Sequence, residues 1–189
     1  MIKKLTQKIR LASSSSTRAM LLQNENIPFI QESVDFDEEQ IIASSAKNFV
    51  YQATRGKFEA NYKAFGCDDY PLLVADTVVT SEDKILRKAK CVDDARNILM
   101  TQSGKITSIV TCLIYKTPKI EIIDISSTDY LFEKFDMDDL ERYLTSGDWR
   151  GKAGACMVEG FCKSYIKEVH GYENCAMGLT IEAFRGYLK

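Results

Sequence analysis

Leu72 to Val79 reads LLVADTVV, and no other stretch constrains the fold of this chain as strongly. Apolar and β-branched residues occupy both parities of the run. As a strand it is therefore covered on both faces, which is the situation of a central strand in a sheet with helices on either side. One carboxylate, Asp76, interrupts it. An ionised carboxylate is costly to bury without a partner. Asp76 is therefore either a structural residue held by backbone N–H groups, or a residue at a cleft that binds a metal ion or positions water.

The flanking pattern alternates short strands with helices. Lys8 to Ala12 reads as an opening strand, followed by four serines, Ser13 to Ser16, and a helix over Arg18 to Gln23 that a serine can cap. Pro28 to Val34 reads as a second strand. Helical spacing then runs from about Glu38 to Phe65, through Ile41, Ile42, Ser45, Phe49, Gln52 and Ala53, with Gly56 as a candidate interruption and Gly66 as the stop. Glu82 and Asp83 make a turn after the central strand, and Lys84 to Leu86 pairs back onto it. A helix over Val92 to Thr101 opens on acidic residues that complement its dipole and ends at Gly104. Thr107 to Tyr115 and Ile120 to Tyr130 flank Thr117-Pro118 as an antiparallel hairpin. Asp138 to Leu144 is a helix stopped near Gly147, Ser164 to Val169 a further strand, and Gly178 to Leu188 a closing helix. With no internal repeat, low-complexity tract or linker, the expectation is one α/β domain over 1–189 with a mixed sheet.

Composition removes several function classes. The 25 basic and 27 acidic residues leave a net charge of −2, so there is no general attraction to nucleic acid or anionic lipid. No apolar run approaches the roughly 20 residues of a membrane span, and Met1 to Arg10 lacks the apolar core of a signal peptide. None of the six cysteines forms a C-x-x-C pair, and the closest, Cys156 and Cys162, are six apart. A zinc site or disulfide framework is thus weakly supported, and reduced thiols without an export signal point to the cytoplasm. The single histidine, His170, excludes mechanisms that need two. A metal here is held by carboxylates, hence Mg²⁺ or Mn²⁺.

Three further segments carry candidate chemistry. The serine loop joins a strand to a helix start, where outward N–H groups and the dipole favour an anion, and Ser13, Ser15 and Arg18 add side-chain donors. The same segment also reads as an ordinary capped turn. Lys57, Lys88, Lys105 and Lys152 fall near turns or element ends, as surface lysines do, and would form a triphosphate clamp if they converge. Lys152-Ala153-Gly154-Ala155 and Glu159-Gly160 place small residues where backbone approaches a ligand, or where strands turn tightly.

These segments resemble, in order and across residues 8 to 185, the Maf nucleotide pyrophosphatases, a family named for inhibition of septum formation. Leu11 to Arg18 is similar to L-A-S-x-S-P-R-R, Phe36-Asp37-Glu38 to V-D-E, Lys57 to the lysine of L-A-x-x-K-A, and Val74 to Val79 to G-A-D-T-V-V. Ile85 to Lys88 resembles I-L-G-K-P, Ser103 to Lys105 with Thr111 the S-G-K block and its later threonine, and Lys152 to Gly160 the block K-A-G-A-Y-x-I-Q-G. Gly178-Leu179 resembles G-L-P. The chain departs from the pattern at Ser16 and Thr17 (Pro and Arg), Ala89 (Pro), Gly151 (Asp), Glu159 (Gln in many members) and Thr180 (Pro).

The resemblance implies a mixed central β-sheet with flanking helices, two lobes around a deep nucleotide cleft, and a homodimer as a common assembly. It implies metal-assisted hydrolysis of a nucleoside triphosphate to the monophosphate and pyrophosphate. Asp76, Lys57, Lys88 and Glu38 would be catalytic, with Asp76 and Glu38 on the Mg²⁺ or Mn²⁺. Ser13, Ser15, Arg18, Thr77, Lys152 and Glu159 would bind substrate. A carboxylate at 159 accepts hydrogen bonds where Gln both donates and accepts, so it favours bases that present N–H donors, and Trp149 nearby is a candidate stacking surface. The competing expectation is a nucleotide-binding regulator of septum formation with little turnover, which the missing loop arginine favours and the carboxylates oppose.

Overall fold

The computed structural model describes residues 7–38, 41–82 and 84–188. Seven strands form one mixed sheet: β1 (Ile9–Leu11), β2 (Phe29–Gln31), β3 (Leu72–Ser81), β4 (Lys84–Leu86), β5 (Ile106–Lys116), β6 (Glu121–Phe132) and β7 (Ile166–His170). Their order is β2-β1-β3-β5-β6-β7, with β4 paired to β3. β1 runs parallel to β2 and β3, while the β3–β5, β5–β6 and β6–β7 pairs are antiparallel. The expected mixed sheet, central LLVADTVV strand and β5–β6 hairpin are all present.

Among the described residues six α-helices flank the sheet: α1 (Ser16–Asn24), α2 (Ala46–Phe65), α3 (Val92–Gln102), α4 (Met137–Ser146), α5 (Glu173–Ala176) and α6 (Glu182–Arg185). Side chains alternate across β3 as strand geometry requires. Leu72, Val74 and Val78 face α2, packing with Phe58, Val50 and Ala53. On the other face, Leu73 and Ala75 join a cluster with α1 and Phe184, while Val79 joins a second cluster with Leu99, Leu140 and Trp149. That face therefore carries two separate apolar lobes. Among the described residues no helix is long and apolar enough to cross a membrane.

Three helical expectations need correction. α2 starts at Ala46, not near Glu38, because Ser45 in extended conformation caps it by accepting from the Asn48 N–H. Ile42 is 92% exposed and outside the helix, although the spacing of Ile41 and Ile42 mimicked a helical stripe; Glu39, Gln40 and the expected turn residue Asp83 lie outside the described residues. The closing helix expected over Gly178 to Leu188 is only the single turn α6. Gly56 does not interrupt α2. A Cβ there would fall inside the Phe36 ring, so glycine is what admits that ring against the helix.

Candidate active site

β3 is ten residues long, but its neighbours on one edge are three residues each. β1 pairs only as far as Leu73, and β4 only from Val79 onward. Residues 74–78 thus have no strand beside them on that edge, and a cleft of about 630 Å³ opens there. This explains how Asp76 and Thr77, consecutive and hence on opposite faces, both line the same cavity. Ser13, Ser15, Arg18, Glu38, Lys57, Lys88, Lys152 and Glu159 line it as well, so all ten site residues expected from sequence converge.

On the α2 face, Lys57 Nζ lies 2.8 Å from Asp76 Oδ1 and 2.5 Å from Glu38 Oε1. Glu38 reaches this position because its loop is pinned twice. Asn61 Oδ1 accepts from the Val34 N–H at 2.9 Å, and Phe36 occupies the hollow at Gly56. Lys57 therefore bridges two carboxylates, where sequence alone suggested a lysine held free for phosphate. Asp76 is 8% exposed, and its Oδ2 has no hydrogen-bond partner. A buried, unpaired carboxylate oxygen is costly unless a cation or donor meets it. That oxygen is suited to a hard divalent cation. Among the described residues no group of three or more His, Cys, Asp or Glu side chains could hold a metal ion.

On the other face a directed hydrogen-bond chain fixes Arg18. Ser15 caps α1 by accepting from the Arg18 N–H, and Gln31 Nε2 donates to the Ser13 carbonyl at 2.7 Å. The Arg18 guanidinium donates to Gly178 O (2.7 Å), Ser13 Oγ (3.0 Å) and Thr77 Oγ1 (3.1 Å). Thr111 Oγ1 donates to Cys175 O at 2.8 Å. Its one proton being engaged, the 3.0 Å contact between the two threonines must run from Thr77 to Thr111. Burial is the larger influence on Arg18 and lowers its pKa from the ordinary value; the charges of Asp76 and then Glu38 oppose this.

The opposite wall is the 150–160 segment. An isolated bridge joins Ala153 to Lys88, and the Gly154 N–H donates to Arg87 O at 3.2 Å. Gly154 has φ +62°, and a Cβ there would meet the Val79 side chain. Gln102 Nε2 donates to Gly154 O (2.7 Å) and Tyr143 Oη to Ala155 O (3.0 Å). The backbone is thus secured, while Lys88, Arg150, Lys152 and Glu159 are exposed or half-exposed, with Lys152 Nζ 3.4 Å from Glu159 Oε1.

Similarity to known proteins extends over nearly the whole chain. The family model described as Maf-like protein matches residues 8–189. The chain belongs to the Maf family. A relative from Nitratiruptor sp., named nucleoside triphosphate pyrophosphatase, is 54% identical over 92% of this chain and 95% of its own length. Relatives of the same name from Helicobacter pylori strain J99 and Campylobacter jejuni are 36% and 35% identical, over 95% and 94% of this chain and 94% and 98% of theirs.

Two candidates offered by the sequence of this Maf chain do not line the cleft. Trp149 is not a stacking surface: it is 2% exposed and its Nε1 donates to Leu144 O at 3.0 Å. Lys105 is outside the cleft, paired with Glu82 at 2.8 Å. Arg150, Asn61 and Met177 line the cleft and were not singled out; Arg150 lies inside the W-R-G-K run, where only its neighbours had drawn attention. The cysteines are free, and Cys156 and Cys162, with Sγ atoms 3.1 Å apart, form a thiol contact and not a bond.

Proposed function

We infer that this chain hydrolyses a nucleoside triphosphate to the monophosphate and pyrophosphate. The observation that carries the reading is the unpaired Asp76 Oδ2 at a cleft lined by five cationic side chains, Arg18, Lys57, Lys88, Arg150 and Lys152. The names of the relatives point the same way.

Asp76, with Glu38, would hold a divalent cation of the Mg²⁺ or Mn²⁺ class, which when bound adds positive charge beside the phosphate oxygens. Lys57 grips Asp76 Oδ1 and Glu38, so both carboxylates keep one orientation. Asp76 Oδ2 accepts a hydrogen bond from water and aligns it on the α-phosphorus. The water oxygen bonds to that phosphorus as the bond to its bridging oxygen breaks; pyrophosphate departs with the bridging oxygen, and the proton lost by the water passes to solvent. Arg18 and the start of α1 face the anionic chain, and Lys88 adds a mobile charge. Glu159, steadied by Lys152, favours a base edge that presents N–H donors.

The test is a product assay over canonical and modified nucleoside triphosphates with Mg²⁺ or Mn²⁺, quantifying pyrophosphate, orthophosphate and monophosphate separately. Pyrophosphate and monophosphate in equal amounts, lost in Asp76→Asn, are expected. Orthophosphate alone would mean a different bond is cut. Absence of any product would leave a nucleotide-binding protein.

A further inference from the structure

The cleft is charged but largely self-neutralised. Its five cations face four carboxylates, Asp35, Glu38, Asp76 and Glu159. Lys57 is taken by Glu38 and Asp76, and Lys152 by Glu159. Arg18 is the one guanidinium of the serine loop, and Ser13, Thr77 and the Gly178 carbonyl take three of its five N–H donors. A nucleoside triphosphate brings about four negative charges. Among the described residues, only Lys88 and Arg150 of the cleft's cations have neither a carboxylate within ion-pair distance nor a hydrogen-bonded side chain.

Arg150 is also mounted for the task. Its guanidinium carbon is 4.6 Å from the centroid of the Trp149 ring, and that indole is locked in the core by its bond to Leu144 O. The backbone turns tightly there, the Arg150 N–H donating to Gly147 O at 3.0 Å. Through the Lys88–Ala153 bridge, the loop carrying Arg150 is tied to the residue carrying the other unpartnered cation. A guanidinium stacked on an aromatic face keeps its edge donors free, and that planar fork matches phosphate oxygens better than an ammonium does.

We propose that Arg150 is a substrate-binding residue that grips the phosphate chain of the nucleotide from the wall opposite Arg18. This rests on the reading of the cleft as a nucleoside triphosphate site. It adds a contact that neither the serine loop nor the lysines supply.

Binding of inorganic tripolyphosphate, with orthophosphate as the short control, is measured by calorimetry on the wild type, Arg150→Gln and Arg150→Lys. Arg150→Gln is expected to weaken tripolyphosphate binding about tenfold and Arg150→Lys by less, with orthophosphate hardly affected. In turnover, Arg150→Gln raises KM about tenfold and leaves kcat within about threefold, because the contact is equal in ground and transition states. An unchanged thermal midpoint separates this from disturbed Trp149 packing. Equal tripolyphosphate affinity in wild type and Arg150→Gln, or no binding to either, overturns the proposal. Arg150-dependent binding of a nucleoside triphosphate that is never hydrolysed would sustain it while sinking the proposed hydrolysis.

Discussion

The two walls of the cleft are built to opposite standards. On the wall formed by the serine loop, α2 and β3, each functional side chain is over-determined. Arg18 has three acceptors, Lys57 two carboxylates, and the loop of Glu38 both Asn61 and the Phe36–Gly56 contact. On the 150–160 wall the backbone is pinned by Gln102 and Tyr143, but Lys88, Arg150 and Glu159 project with at most one partner. The difference matches a division of labour. Stabilising a reacting phosphorus requires dipoles and charges fixed before the reaction, whereas gripping a polyphosphate and a base edge tolerates side chains that adjust on binding.

This contrast can be broken most severely at Asp76. Asp76→Asn is expected to lower kcat about 10³-fold for every nucleotide while leaving their ranking intact; a reordered ranking would move recognition to the wrong wall. Glu159→Gln should do the reverse. Relative kcat/KM between bases with and without N–H donors shifts by about tenfold or more, and kcat for the best substrate hardly changes, read from a base panel. Gly56→Ala forces Phe36 out, costing about 1–3 kcal/mol in denaturant unfolding and lowering kcat through Glu38 without a Glu38 substitution. Thr111→Val removes the acceptor of the Thr77 hydroxyl and one of the donors to the Cys175 carbonyl at a fully buried position, costing about 1 kcal/mol but only a few-fold in kcat/KM, since Arg18 keeps Ser13, Thr77 and Gly178. The smallest effect is expected on neither wall. Cys91 is the one exposed thiol, so titration of the native protein at neutral pH should find about one reactive cysteine, with activity retained. Burial supports this by pushing the Cys112 thiol up to about 11, and the Cys156 thiol, in hydrogen-bond contact with Cys162 and buried, is raised too.

The first wall was the more legible in the sequence, for a physical reason. A carboxylate within LLVADTVV and a serine run between strand and helix are local anomalies that need explaining, and they led to Asp76 and the serine loop of the cleft. What fixes those residues is tertiary. Nothing local places Phe36 against Gly56, and the helical spacing of Ile41 and Ile42 competed successfully with the true cap at Ser45. Lys57 was legible as a site residue but not as a bridge between two carboxylates, because spacing carries no distance. The second wall misled at Trp149, where an aromatic beside small residues suggested stacking and the indole instead lies in the core under Arg150. The single turn of α6 had been expected to be a full helix because apolar spacing over Gly178 to Leu188 fits both a helix and a packed irregular tail.

The most direct test of the account is hydrolysis in ¹⁸O-labelled water by the wild type and by Asp76→Asn. Attack on the α-phosphorus from the Asp76 wall predicts one labelled oxygen in the nucleoside monophosphate and none in the pyrophosphate, with both products nearly absent in Asp76→Asn. Label in the pyrophosphate, or undiminished release from Asp76→Asn, would contradict it.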